Sequence, residues 1–481
     1  MFSRVSRPMI VALIVACALF MENLDGTIIT TALPAMAESF GESPVHLSIG
    51  VTAYILSLAV FIPASGWVAD RCGSRNVFFA AIAVFTVGSM LCGLCNSLVE
   101  LALARVLQGI GGAMMVPVGR LVMLRSVVKS EIVRAMAYLT VPAMIGPVLG
   151  PPVGGFITTY FSWRWVFFLN LPIGALGMFL VWRLIENQRE DETPPLDWLG
   201  LVLTGTALGC LVYGFDLIGN PGGDATLTRV LLGGGLAVGA LAVLHARRHP
   251  HPLIDISLLR IPTFGVTISG GSLFRVSTGA IPFLLPLMLQ VGFGMTAFGS
   301  GLLTFGAAAG SMAMKTTARF ALRQFGFRTV FIGNGVICAA SILACALFTA
   351  ATPAALIFAV LVVGGFFRSL QYTSLNSMAY ADIPPPRMSA ATSFSSMMQQ
   401  FSNGMGVALG ALLLQVVVMA RGAAGTVPAA DDYRAAFVAA GVLALVSIPF
   451  FLRLAPGAGA EVSGHRRASR RGGKRIAESG D

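Results

Sequence analysis

Five charged side chains lie inside long apolar stretches of the sequence: Glu22 and Asp25 in the first stretch, then Arg105, Arg275 and Arg368 further along. A charge in hydrocarbon costs about 2.5–3.5 kcal/mol on insertion scales, so each needs a reason to be there. Glu22 and Asp25 are three residues apart, hence on one helix face, and that face must look at protein or water rather than lipid. Withdrawing a carboxylate from water favours its protonated form, the property a proton carrier needs. A purely structural ion pair is the bland alternative for both. If the first stretch runs outward from Met9 to Thr31, Asp25 sits roughly 9 Å from its outer end at about 1.5 Å per residue. Arg105, on a stretch returning from Leu98, sits roughly 10 Å from the same surface. The two charges share a depth and are expected to pair. A change in that contact would bind and release one proton.

Other chemistry is scarce. No H-E-x-x-H occurs, and all five histidines (His46, His245, His249, His251, His465) fall in connections or the tail, so no metal site and no catalytic residues are expected. The nearest thing to a phosphate loop, GSMAMKT at 310–316, has Met314 where a glycine must precede the lysine. ATP hydrolysis and a bound cofactor are not expected, and uphill work would draw on an ion gradient. Cys92 and Cys95 form a C-x-x-C inside an apolar run and read as small packing residues, with no structural disulfide.

The elements that must hold these groups follow from composition. Of 481 residues, 56% are hydrophobic and 11% are Asp, Glu, Lys or Arg, against about 25% charged in a soluble domain. Mean hydropathy is +0.81. Too few charges exist to cover a soluble globule, which excludes a soluble enzyme, a disordered scaffold and a disulfide-stapled secreted domain. The net charge of +11 does not mark a nucleic-acid binder, because the basic residues are spread over short connections. Fourteen apolar runs of spanning length lie between residues 9 and 453, and their unbroken hydrophobicity selects helices over a barrel. Of the 32 Lys and Arg, 25 fall in one alternate set of connections and only Arg164, Arg229, Arg421 and Arg434 in the other. That asymmetry predicts both termini in the cytoplasm.

Charged linkers at 186–197 and 247–262 bracket two spans without ionisable residues near their middles. The expected organisation is a cytoplasmic N-terminus (1–8), a six-helix bundle (9–188), a linker with two inserted helices (189–261), a second six-helix bundle (262–453) and a disordered basic tail (454–481). A weak repeat relates the bundles: Gly73-x-Arg75 followed by Asn-Val-Phe-Phe, and Gly326-x-Arg328 followed by Thr-Val-Phe-Ile. Duplicated bundles around a central site are the usual build of a secondary transporter.

Four ordered motifs then carry a resemblance. Leu24-Asp25-Gly26-Thr27-Ile28-Ile29 with Ala32-Leu33-Pro34 resembles the first-helix signature of the fourteen-helix drug:proton antiporters of the major facilitator superfamily. Gly66 to Arg75 (GWVADRCGSR) resembles the superfamily's loop between helices 2 and 3, although Ser74 and Asn76 stand where basic residues are common. Arg105 with Gln108, Gly109, Gly111 and Gly112 is similar to the helix-4 arginine motif. Gly146-Pro147, Gly150-Pro151 and Gly154-Gly155 are similar to the helix-5 antiporter motif, which in the family goes with export. The segment around Trp163, Trp165, Asn170 and Pro172 also fits. Gly111–Arg120 and Pro286–Gly294 look most like inner-membrane multidrug transporters of the MdtD and HsrA type.

The resemblance implies a major facilitator fold and an all-α membrane protein of fourteen helices. It also implies a latch at Gly66, Asp70, Arg71, Gly73 and Arg75 that holds the outward-facing state. Physically, Gly66 permits close helix approach, and Asp70 can face the positive N-terminus of a helix in the other bundle. Proton coupling is assigned to Asp25, Arg105 and Glu22, and a possible substrate cavity to Gln108, Arg275, Gln290 and Arg368. The expected activity is proton-coupled efflux of small amphipathic molecules across a bacterial inner membrane, with substrate, protons and lipid as partners. An exporter of an anionic metabolite or metal chelate is the alternative, since two intramembrane carboxylates face three arginines; a transporter-like sensor or scaffold would not need a protonatable Asp25.

Overall fold

The computed structural model describes residues 7–41, 48–190, 192–219, 224–295, 297–422 and 428–465. Every regular element among them is helical, as a chain whose backbone must satisfy itself in lipid requires. The first bundle comprises α1 (Arg7–Phe40), α2 (Ser48–Phe61), α3 (Ser65–Cys72), α4 (Ser74–Leu94), α5 (Leu98–Ser126), α6 (Ile132–Tyr160), α7 (Arg164–Phe168) and α8 (Asn170–Leu184). Local signals set its boundaries. Ser97 caps α5 by accepting from Glu100 N at 3.3 Å, while Glu100 Oε2 accepts from Asn96 N at 2.8 Å. At Gly73 the chain turns from α3 into α4 with φ +88, which a side chain would resist.

The inserted pair is α9 (Trp198–Gly219) and α10 (Ala225–Arg248). They pack on each other, and α9 also packs on α2 of the first bundle. In α10 only Gly235 is buried, where it meets Leu211 of α9, so the face turned away from α9 is left for lipid. The second bundle comprises α11 (Pro262–Gly279), α12 (Ile281–Leu287), α13 (Ala297–Cys345), α14 (Ala354–Met378), α15 (Met388–Ala420), α16 (Ala430–Val446) and α17 (Ile448–Leu452), followed by the short α18 (Ala460–Ser463). Helix α9 packs on α15 as well, so the insertion touches both bundles.

Among the described residues, twelve helical stretches are long and apolar enough to cross a membrane. They differ from the expected fourteen runs at two places. Gly299–Cys345 contains two expected runs, at 296–314 and 328–350, in one 47-residue stretch. It bends at Gly326, with φ +72, the counterpart of Gly73 in the repeat. The expected fifth run is α6, a 29-residue helix outside that set.

Three expectations need correction. Arg120 and Lys315, counted among the connection residues, are drawn into the protein: Arg120 is buried within α5, and Lys315 of α13 is only partly exposed. The tail, expected to be disordered from 454, begins ordered: Leu454 and Val462 are buried in the main apolar core, and Lys129 Nζ meets Glu461 Oε2 at 3.0 Å. The remainder of the basic tail, 466–481, lies outside the described residues.

Candidate functional site

Helices α1 and α5 bring Asp25 and Arg105 together. Arg105 Nη1 lies 2.6 Å from Asp25 Oδ2, and neither side chain has any exposed surface. A buried pair of this kind holds only if its remaining polar atoms are also met. Gln108, one turn along α5 from Arg105, closes a ring: its Oε1 accepts from Arg105 Nη1 at 2.6 Å, and its Nε2 donates to Asp25 Oδ1 at 2.9 Å. Asn170, at the start of α8, donates to Asp25 Oδ1 at 2.9 Å and to Ser89 Oγ at 2.9 Å. Arg105 Nε donates to Gly50 O at 3.0 Å, and its guanidinium lies 4.4 Å from the centre of the Tyr54 ring. Among the buried polar atoms without a hydrogen-bond partner in the described residues, three lie on these helices around the pair: Arg105 Nη2, Tyr54 OH and Glu22 Oε2. The first two belong to this stack, and Glu22 stands one turn before Asp25 on α1.

The antiporter-motif glycines explain how α1 is held. A side chain at Gly146 would collide with Leu24 N at 2.9 Å, and one at Gly150 would run into Thr27 Oγ1. Helix α6 therefore presses its bare face onto the very stretch of α1 that carries Asp25. Gly154 is buried, whereas Gly155 faces open space. The side chains of Pro147 and Pro151 lie outside the described residues.

At the end where α1 begins and α5 ends, the two bundles are clasped. A side chain at Gly66 would meet Ser393 Oγ at 2.7 Å and Ser389 O at 2.8 Å, so α3 touches the backbone of α15. Ser65 Oγ and Ser393 Oγ share a hydrogen bond of 2.8 Å. Asp70 accepts from Ser389 Oγ in the first turn of α15 and from Arg125 Nη2 at 3.1 Å. Arg125 also reaches Glu190 Oε1 at 2.9 Å. Arg71 and Arg75 do not join this clasp: Arg71 donates to Thr193 Oγ1 at 3.2 Å and Arg75 to its neighbour Asn76.

A second polar chain crosses between the bundles. Arg120 donates to Tyr380 OH and Gln399 Oε1, each at 3.2 Å. Gln399 Nε2 and Arg275 Nη2 both donate to Asn376 Oδ1 at 2.9 Å. Arg275 also lies 5.2 Å from the Tyr372 ring centre, and Lys315 Nζ donates to Thr373 Oγ1 at 2.7 Å. No carboxylate pairs with Arg120, Arg275 or Lys315 among the described residues.

Of the four cavity candidates, Gln108 thus belongs to the charge pair and Arg275 to this crossing chain. Arg368 is half-buried on α14, and Gln290 is exposed in the π-helical turn Met288–Gly292, apart from both. Sequence reasoning passes over Tyr54, Ser89, Arg120, Asn376 and Gln399; the one signal for them is a polar side chain inside a run long enough to span. It also passes over a group of Asp197, His245 and His249, whose ligand atoms lie within 4.8 Å of one another, where no metal cluster is expected. Burial alone would push the Asp197 carboxyl up, but the amides of Gly200 and Leu253 together with His245 hold it below its usual value.

The sequence profile described as Major Facilitator Superfamily matches residues 15–402 and 267–477. The chain belongs to the major facilitator superfamily. Within it, the chain is 39% identical over 404 residues to "Putative multidrug resistance protein MdtD" of Salmonella heidelberg, covering 83% of this chain and 85% of that one. Its counterpart in Pectobacterium atrosepticum, of the same printed name, is 38% identical over 407 residues, covering 84% and 86%. The crystal structure of the human organic anion transporter MFSD10 (TETRAN) superposes with a TM-score of 0.65 at 14% identity, covering 93% of this chain and all of that one, and so shares the superfamily's fold. The chain is thus a transporter of this superfamily and a multi-pass membrane protein.

Proposed function

We propose that this chain is a proton-coupled exporter of small amphipathic molecules in a bacterial inner membrane. On this reading it crosses fourteen times, has both termini in the cytoplasm and works by alternating access between the two bundles. The buried pair of Asp25 and Arg105 carries the reading. On this reading the Asp25 carboxylate exchanges the coupled proton as its contact with Arg105 is made and broken during the cycle. Gly146 and Gly150 of α6 bear directly on the Asp25 stretch of α1, so sliding of α6 during rocking would alter the pair. Glu22 adds a second carboxylate, with an unpartnered oxygen, to the same face. The clasp of Gly66 and Asp70 on α15 would hold the cytoplasmic side closed, corresponding to an outward-facing state.

The test is transport in proteoliposomes under an imposed pH gradient. Wild type should move substrate against its gradient. Asp25→Asn should lose gradient-driven transport while keeping substrate binding. Full gradient-driven transport by Asp25→Asn would overturn the reading.

Arg120, Arg275 and Lys315, without a carboxylate partner among the described residues, favour a second reading in which the exported molecule is an anion or an anionic metal chelate. Competition of anionic against cationic compounds for binding to the purified protein separates the two.

A further inference from the structure

The ends of the inserted helices meet beside the clasp, and there Asp197, His245 and His249 converge. Asp197 caps α9 with a nearly buried carboxylate: Oδ1 accepts from Gly200 N at 2.7 Å and Oδ2 from Leu253 N at 3.2 Å. His245 Nε2 lies 2.8 Å from Asp197 Oδ1. His249 is one turn further and caps the end of α10, with its ring centre 5.1 Å from that of His245. The spacing His-x-x-x-His puts two imidazoles on one helix face, a common arrangement in zinc sites. Around a tetrahedral ion with bonds of about 2.0–2.1 Å, ligand atoms stand roughly 3.3 Å apart. All three ligand atoms here lie within 4.8 Å of one another, so closing on an ion needs side-chain adjustment only.

We propose that Asp197, His245 and His249 form a binding site for a divalent first-row transition cation such as Zn²⁺, with a fourth position left to water. Two imidazoles and one carboxylate suit that class, whereas Ca²⁺ and Mg²⁺ take oxygen ligands. The amides of Gly200 and Leu253 fix the carboxylate's direction, the kind of outer support that ligating groups need. The ion replaces the hydrogen that now bridges His245 and Asp197. Ligation of His249 through Nε2 places its ring hydrogen on Nδ1, so the contact from His251 N to Nδ1 at 3.2 Å is exchanged for one to water.

The site's position gives it a consequence. Asp197 and Leu253 line a cavity of about 560 Å³ that also includes Gly66, Asp70 and Ser389 of the clasp. The same linker holds Asp255, whose Oδ2 is 2.5 Å from Arg387 Nη2 at the start of α15. A bound ion therefore stiffens the linker next to the place where the bundles meet.

Calorimetric titration of ZnCl₂ into the full chain, purified in detergent without a polyhistidine tag, tests this. One ion per chain should bind, with two imidazoles seen in the zinc X-ray absorption spectrum. His245→Ala and His249→Ala should each weaken binding by about tenfold or more. His251→Ala, in the same linker but outside the trio, should bind as wild type does. His249→Gln, at a half-exposed position, repeats the test with side-chain bulk retained, and the metal-free melting temperature of each variant reports its folding. Absence of saturable binding would overturn the proposal, as would folded His245→Ala or His249→Gln proteins binding as tightly as wild type, or His251→Ala losing as much as they do.

Discussion

In the first bundle the buried guanidinium of Arg105 meets the Asp25 carboxylate at 2.6 Å, whereas in the second bundle the buried guanidinium of Arg275 meets neutral groups, the Asn376 amide and the Tyr372 ring. The scaffolds around them are alike. Gly73 and Gly326 both turn the chain with positive φ between paired helices. Arg105-Val-Leu-Gln108 on α5 has a counterpart in Arg368-Ser-Leu-Gln371 on α14. Yet Gln108 bonds to a charged pair, and Gln371 Oε1 accepts from Asn334 Nδ2 at 2.7 Å. A duplicated frame has kept its hydrogen-bonding glutamine in both halves, while the carboxylate is present in one. On the proposed reading, proton exchange belongs to the half with the carboxylate.

Breaking the first bundle's pair should give the largest effect. Asp25→Ala leaves a buried guanidinium without its counter-charge, and removing one partner of such a pair costs about 3–5 kcal/mol. Arg275→Gln should cost less, about 1.5–3 kcal/mol, because it breaks a hydrogen bond to a neutral amide and leaves no buried charge behind. Thermal melting of the two variants in one detergent compares them. Equal losses would remove the distinction between the bundles.

Next in size is the contact of α6 with α1. Gly150→Val drives a branched side chain into the space that Thr27 Oγ1 already fills, and overpacking of this kind costs about 1–3 kcal/mol. Gly155→Ala, which meets nothing within 4 Å, should stay within about 0.5 kcal/mol. Melting temperatures check the contrast, and a destabilised Gly155→Ala beside an unaffected Gly150→Val would reverse it.

The smallest effect belongs to the clasp, which joins the bundles without either buried charge. Ser389→Ala removes one hydrogen bond to Asp70, worth about 1.5–3 kcal/mol to a fully buried charged acceptor and less at this half-buried one. Accessibility of cysteines introduced at the clasp end of the bundles should rise in that variant. Unchanged labelling would free Asp70 of a latching role.

The reach of the sequence differs between these regions for a physical reason. Depth along a helix is a matter of rise per residue, so numbering alone places Asp25 and Arg105 at one level, and the structure puts them in contact. Which helix faces which is set by packing, so Asn170, Ser89 and Tyr54 are invisible in the sequence as partners of the pair. Arg120 and Lys315 mislead because a basic residue near a helix end looks like a loop charge until the burial of that end is known. Asp197 and His245 are 48 residues apart and meet only because α9 and α10 form a hairpin. The glycines at 146 and 150 are legible as a smooth face, but not that the face bears on Asp25.

The central claim is that the Asp25 carboxylate exchanges the coupled proton, and transport by Asp25→Asn in proteoliposomes separates coupling from substrate movement most directly. The asparagine keeps the side chain's size and some of its hydrogen bonds but has no carboxyl group to exchange a proton. Under an imposed pH gradient the variant should show no accumulation, whereas equilibrium exchange of labelled for unlabelled substrate should persist. Gradient-driven accumulation at the wild-type level by Asp25→Asn would contradict the claim.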